Sequence, residues 1–239
     1  MLRNSLSRAL GWTLIAFVFL LAWDASGLDL PVARFFATPA GFALRDNAFL
    51  VQVMHEGAKT LSWVLVIGLF LAIARPVGFL RRLDRFERAQ LALATVAGVL
   101  VVTLIKHASR TSCPWDLDAF GGVAHYVSHW SWGQGDGGPG RCFPAGHASA
   151  AFAFLGGWFV LARRVPSVAR AWLVAALAAG LVLGLVQQAR GAHYMSHTLW
   201  TAWLCWTTGL AIDFACLRWR ARHGQEAAVP AASSTRSSF

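Results

Sequence analysis

The sequence predicts an all-α protein, a bundle of six transmembrane helices, and three observations carry that prediction. Apolar residues make up 56% of the 239 positions and charged residues only 13%, far from the averages of soluble domains. The charges gather between six uncharged apolar runs, each approaching the roughly 20 residues that a spanning helix needs. The basic residues also concentrate in alternate connections, as they do when a chain weaves through a bilayer. A soluble helical bundle with an oily core is the alternative.

The runs are 9–23, 60–74, 89–105, 148–162, 171–189 and 198–212. Several are short, so Arg8, Lys59 and Arg75 belong near the interface with their heads snorkelling into water. Arg3 and Arg8 before the first run resemble a signal peptide, but no small-x-small cleavage site follows. Trp12 and Trp23 suit interfacial anchoring, so an uncleaved anchor is expected. Residues 24–57 form an outer segment whose 32–36 and 42–53 stretches can lie along the interface. The connection 75–88 is short and arginine-rich. The long loop 106–144 contains the glycine-rich string 133–140, read as a flexible linker. Pro166 marks a tight turn between the fourth and fifth runs. One membrane-embedded domain covers 1–222, and the polar Ala/Ser-rich tail 223–239 is expected to be disordered.

Orientation follows from charge. With the N-terminus inside, the inner segments hold fourteen basic and four acidic residues, and the outer segments hold seven of each. Both termini are then cytoplasmic, in a bacterial inner membrane. The net charge of +10 reports this topology, and neither nucleic acid nor an obligate protein partner is needed to explain it. Cys205 and Cys216 fall in or near the last run as ordinary buried thiols. Cys113 and Cys142 share the outer loop on the oxidising side. Whether they are bonded is open, because sequence cannot place two Cα atoms within about 7 Å.

Three strings at the outer ends of these runs carry chemistry. Lys106 and Arg110 share a helix face if the third helix extends that far, and two such cations are satisfied by an anion between them. Pro144-Ala145-Gly146-His147 precedes an apolar helix, whose first amides have no internal partner and whose dipole favours an anion. His147 stands where it can donate a proton. Arg190, His193 and His197 open the sixth helix; the two histidines at i and i+4 suit zinc, but the neighbouring cations disfavour it. A histidine beside a phosphate held by Lys106, Arg110 and Arg190 reads better as a nucleophile.

In this order, the strings resemble the motifs of the type 2 phosphatidic acid phosphatase superfamily. Its pattern is Lys, six residues, Arg-Pro; then Pro-Ser-Gly-His; then Ser-Arg, five residues, His, three residues, Asp. By resemblance, Lys106, Gly146, His147, Arg190 and His197 take family positions, with His197 attacking phosphorus and His147 protonating the leaving oxygen. The first-motif arginine is replaced by Cys113, so Arg110 or Arg141 must supply the guanidinium. Ala145 replaces a serine, keeping only a backbone donor, and Ala189 replaces another. Thr201 stands for the orienting aspartate, and Glu56, Asp116, Asp118 or Asp136 must reach in if a carboxylate is used.

The expected activity is metal-independent and cofactor-free hydrolysis of a lipid phosphate or pyrophosphate monoester through a phosphohistidine. It takes place at the periplasmic face, with the lipid tail left in the bilayer. The resemblance implies polyprenyl pyrophosphate, phosphatidylglycerol phosphate, phosphatidic acid or lipid A as substrates. The alternatives are transfer to a second lipid, or a non-catalytic lipid-phosphate binder or transporter.

Overall fold

The computed structural model describes residues 2–38, 40–131 and 133–223. Helix α1 (Leu2–Ser26) is followed by the short α2 (Asp29–Phe36). A π-helical segment, Phe49–Gly57, runs directly into α3 (Ala58–Ala74). After a 3-10 turn at Gly78–Arg82 comes α4 (Arg85–Ala108), started by a capping box between Asp84 and Glu87. The outer loop holds two 3-10 turns, Pro114–Asp116 and Asp118–Phe120. Helix α5 (Ser149–Phe152) continues through a 3-10 turn (Ala153–Gly156) into α6 (Gly157–Arg164). Helices α7 (Pro166–Ala189) and α8 (Met195–Arg222) complete the bundle. Among the described residues there are no strands beyond isolated bridges at Thr38–Gly41 and Leu117–Ala124. The tail 224–239 lies outside the described residues, so the expectation of disorder is not addressed by them.

Among the described residues, four segments are long and apolar enough to cross a membrane: Leu6–Ser26, Phe49–Arg82, Arg85–Ala108 and Pro166–Ala189. Their outward faces are greasy: Leu14, Ile15 and Val18 on α1, Val64 and Leu71 on α3, and Val182 on α7 are more than half-exposed or nearly so. Water would not tolerate such a sheath, whereas lipid requires it. The two remaining apolar runs are built differently. The stretch 148–162 becomes the α5–α6 rod, broken by its 3-10 turn, and α8 is 28 residues long but rich in Trp and Thr. Both are interior: α8 packs against α1, α4, α7 and the 3-10 turn of that rod. A helix surrounded by protein has no need of an all-apolar surface, so composition marks it weakly. The rod and α8 cross closely at Gly156 and Gly209, where a Cβ on Gly209 would run into the Gly156 Cα. Small residues there let the two backbones touch.

The inner end is stapled by ion pairs. Arg163 makes a bidentate pair with Asp213, at 2.9 and 2.7 Å, while Arg164 Nε reaches Glu87 Oε1 at 2.8 Å. Asp213 and Glu87 are both nearly buried, so these carboxylates depend on their arginines.

The glycine-rich outer string is not a slack linker. Asp136, 4% exposed, accepts from the Ser112 amide and hydroxyl and from the Gly138 amide. That single carboxylate fastens the string to the end of α4, while Gly133, Gly137 and Gly140 supply the positive φ its turns require. A disulfide joins Cys113 to Cys142, with Cα atoms 5.1 Å apart and 29 positions between them in sequence. Closing a loop of that length is worth about 3.5 kcal/mol by the chain-entropy relation. Cys113→Ser is therefore expected to lower the thermal midpoint of the detergent-solubilised protein, and reductant should reproduce the shift in the parent but not in the variant.

Candidate active site

The site lies where α4 ends, the Cys142–Ala148 loop begins α5, and the 190–197 turn leads from α7 into α8. Each element is positioned by identifiable contacts. The start of α8 is capped from α2: Asp29 accepts from the Ser196 amide at 3.0 Å and from the Ser196 hydroxyl. The loop before α5 is tied to α8 by Ala145 N donating to His197 O, at 3.2 Å. The Thr201 hydroxyl adds to this, lying 2.8 Å from His197 O and 3.1 Å from Ala145 O. Lys106 runs its stem across Gly146, where a Cβ would meet the lysine Cδ at 3.3 Å. Glycine at 146 thus makes room for the lysine.

These contacts gather four histidines. His147 faces His55 with ring centroids 3.8 Å apart and His193 at 6.0 Å. His193 stands 5.9 Å from His197. Burial pushes the His147 imidazole down to about 3, helped by His55, Lys106, Arg190 and Lys59. Burial also holds His193 well below the ordinary histidine range, with Lys106, His197 and His147 adding to it. Both rings are therefore neutral in the empty site. Arg190 is 6% exposed, and its guanidinium is held by Arg45 O (2.9 Å), Gln187 Oε1 (3.1 Å) and His55 Nδ1 (3.3 Å). Among the described residues, its Nη2 makes no hydrogen bond, and neither does Lys106 Nζ.

Several expected assignments change. His197 was expected to attack phosphorus; it is wholly enclosed and both its ring nitrogens lack partners. His193, equally buried, is the ring in contact with both His147 and His197. Spacing agrees with the geometry: six residues separate Arg190 from His197, not five. In the family pattern, His193 is the histidine and position 197, three residues further on, takes the place of the aspartate. The family arginine then falls on Gln187, and Arg190, one turn later, returns its guanidinium to Gln187. The Nδ1 of His193 lies 3.5 Å from Cys142 Sγ. A disulfide sulfur has no hydrogen and can only accept, so Nδ1 carries the proton and Nε2 the free lone pair.

Arg110 shares no face with Lys106. Helix α4 stops at Ala108, Ser109 is extended, and the Arg110 guanidinium turns outward to Gly133 O, at 3.1 Å. Arg110 and Arg141 line an outer groove of about 460 Å³ that none of the four histidines lines. The Ala145 amide is occupied by His197 O, whereas the amides of Gly146, His147 and Ala148 have no backbone acceptor among the described residues. Thr201 reaches backbone carbonyls and not an imidazole, so it does not orient His197.

The four acids considered as substitutes are all engaged elsewhere. Asp116 accepts from Cys113 N and Trp115 Nε1, Asp118 pairs with His125, Asp136 holds Ser112, and Glu56 faces His55. A chain of contacts leads from His197 through His129 to Asp24, at the end of α1. Asp24 lies 3.3 Å from His129 Nε2, whose ring is 5.6 Å from that of His197, and it also accepts from Trp130 and Trp200. One trio of metal-ligand residues comes close together, Cys113, Cys142 and His193. Its two sulfurs are bonded to each other, which leaves a single free donor.

Fold and site together define a class: an all-helical chain with membrane-crossing helices, whose helix ends gather neutral histidines beneath fixed cations. The chain belongs to the PAP2 superfamily, whose family model matches residues 88–222. Among solved structures it is similar to a transmembrane PAP2-type phosphatidylglycerolphosphate phosphatase from Bacillus subtilis. The two share 15% identity with a TM-score of 0.49, over 88% of this chain and 96% of that one. No curated protein sequence matches the chain.

Proposed function

We propose that this protein is a membrane phosphatase that hydrolyses a lipid phosphate or pyrophosphate monoester through a phosphohistidine on His193. The observation that carries this is the pairing of His147 and His193, rings 6.0 Å apart, beside two cations with unengaged nitrogens. Lys106 Nζ, Arg190 Nη2 and the Gly146 and His147 amides hold the phosphate oxygens and stabilise the charge that develops on them. His147 takes up a proton from solvent as the phosphate dianion binds; Nε2 of His193 then attacks phosphorus in line, the bond to the leaving oxygen breaks, and His147 delivers that proton to the oxygen. His147 then takes a proton from water as the water attacks phosphorus. The P–N bond breaks, inorganic phosphate leaves, and both imidazoles return to their starting states. No step requires a metal or a cofactor.

In this proposal all six apolar runs cross the bacterial inner membrane with both termini inside, the charge asymmetry setting the direction. The site then opens on the periplasmic side, where an amphiphile can keep its tail in the bilayer. The test is a panel of lipid phosphates and pyrophosphates offered to the detergent-purified protein. Free phosphate is expected from at least one of them, at a rate that EDTA leaves unchanged. Strict dependence on added zinc or magnesium, or transfer to a lipid acceptor with no free phosphate, would overturn the proposal.

A further inference from the structure

His55 lies outside all three motif strings, yet it makes the closest ring contact in the site, 3.8 Å between its centroid and that of His147 at an interplanar angle of 73°. It is carried by the last turn of the π-helical segment Phe49–Gly57 that leads into α3. Such segments are rare and occur often at functional sites, because the wider turn re-aims a side chain. The protonation of His55 follows from its neighbours. Every guanidinium nitrogen is a donor, so Nδ1, 3.3 Å from Arg190 Nη1, must accept. The proton then sits on Nε2, which faces Glu56 Oε1 at 3.5 Å. The Glu56 side chain is 57% exposed and that of His55 21%, so the chain Glu56–His55–Arg190 runs from the surface into the site.

Building on the phosphatase assignment, we propose that His55 is a positioning residue. Nδ1 holds the Arg190 guanidinium where its free Nη2 meets the substrate phosphate, and the imidazole plane braces the ring of His147. Arg190 would otherwise keep the Arg45 carbonyl on Nε and the Gln187 amide oxygen on Nη1, the nitrogen that His55 also holds. Losing one of the two acceptors on Nη1 loosens the outer end of the fork, and positional slack of that kind weakens a bound anion and slows its transfer.

The test measures binding of inorganic phosphate by titration calorimetry, alongside turnover, for His55→Ala, His55→Asn, Arg190→Ala and the His55→Ala/Arg190→Ala pair. Asn places an acceptor oxygen near the position of Nδ1. His55→Ala is expected to weaken phosphate binding about tenfold and lower kcat/KM by 10- to 100-fold, on the order seen when second-layer partners of a site are lost. His55→Asn should recover most of the phosphate affinity. In the Arg190→Ala background, His55→Ala should change affinity by less than about twofold, because its route of action is already gone. Equal defects in His55→Ala and His55→Asn, or full multiplication of the two single effects, would show that the ring only fills space. A His193→Ala control separates the two levels: if it still releases phosphate, the phosphatase mechanism falls. If it is inactive while His55→Ala behaves as the parent, only the role of His55 falls.

Discussion

Alanine at His193 is expected to lower turnover by at least about four orders of magnitude, the scale on which losing a member of a nucleophilic constellation acts. Substrate binding should survive, since Lys106 and Arg190 remain. Alanine at His197 should cost far less. In the proposed arrangement that residue acts through His193, its ring 5.9 Å away, and does not itself meet phosphorus. Single-turnover assays with rapid acid-labile phosphoenzyme trapping distinguish the two: the covalent intermediate should vanish with His193→Ala and persist with His197→Ala. The reverse pattern would return the nucleophile to His197.

The second large effect concerns His147. His147→Gln should reduce kcat by about 10²- to 10⁴-fold, the usual contribution of a general acid, with a smaller loss for substrates whose leaving group needs little protonation. A proton-linked signature should accompany it. In the empty site the imidazole is pushed down to about 3, so it is neutral at pH 7. An arriving phosphate dianion reverses the sign of the local charge and raises that value, so binding at neutral pH should take up a proton. Calorimetry in buffers of different ionisation enthalpy reads this directly, and His147→Gln should abolish the uptake. Stability has its own sign. The unfolded chain binds a proton on this histidine below about 6.5 and the folded one only near 3, so the stability it gives at neutral pH is lost as pH falls through that window. Added phosphate should slow the loss.

Much of this was visible in the residues alone. The apolar runs announced α1, α3, α4 and α7 because lipid-facing helices must be greasy on every outward side. The α5–α6 rod and α8 were harder, since helices clothed by protein can carry Ser, Thr and Trp. Lys106, Gly146, His147 and Arg190 were singled out because each sits at a sharp change from apolar to polar sequence. The proposal moves the nucleophile from His197 to His193: the two are one helical turn apart, and local sequence does not say which of two such rings meets a phosphate. His55 gave no local signal beyond being a histidine near an outer helix end. Nor did Asp24 and Asp29, whose partners His129 and Ser196 lie 105 and 167 positions further along the chain.

Composition and spacing by themselves determined the all-helical membrane class, the direction of charge asymmetry and the chemistry of histidine and fixed cations. Those follow from solvent: apolar runs seek lipid, and charges collect where water remains. Tertiary structure alone decided that Arg110 turns away, that a disulfide sulfur and not Thr201 touches the His193 imidazole, and that Arg190 is gripped by His55. Each of these depends on where a helix stops and which distant segment fills the space beyond it, and packing settles that only when the whole chain is folded.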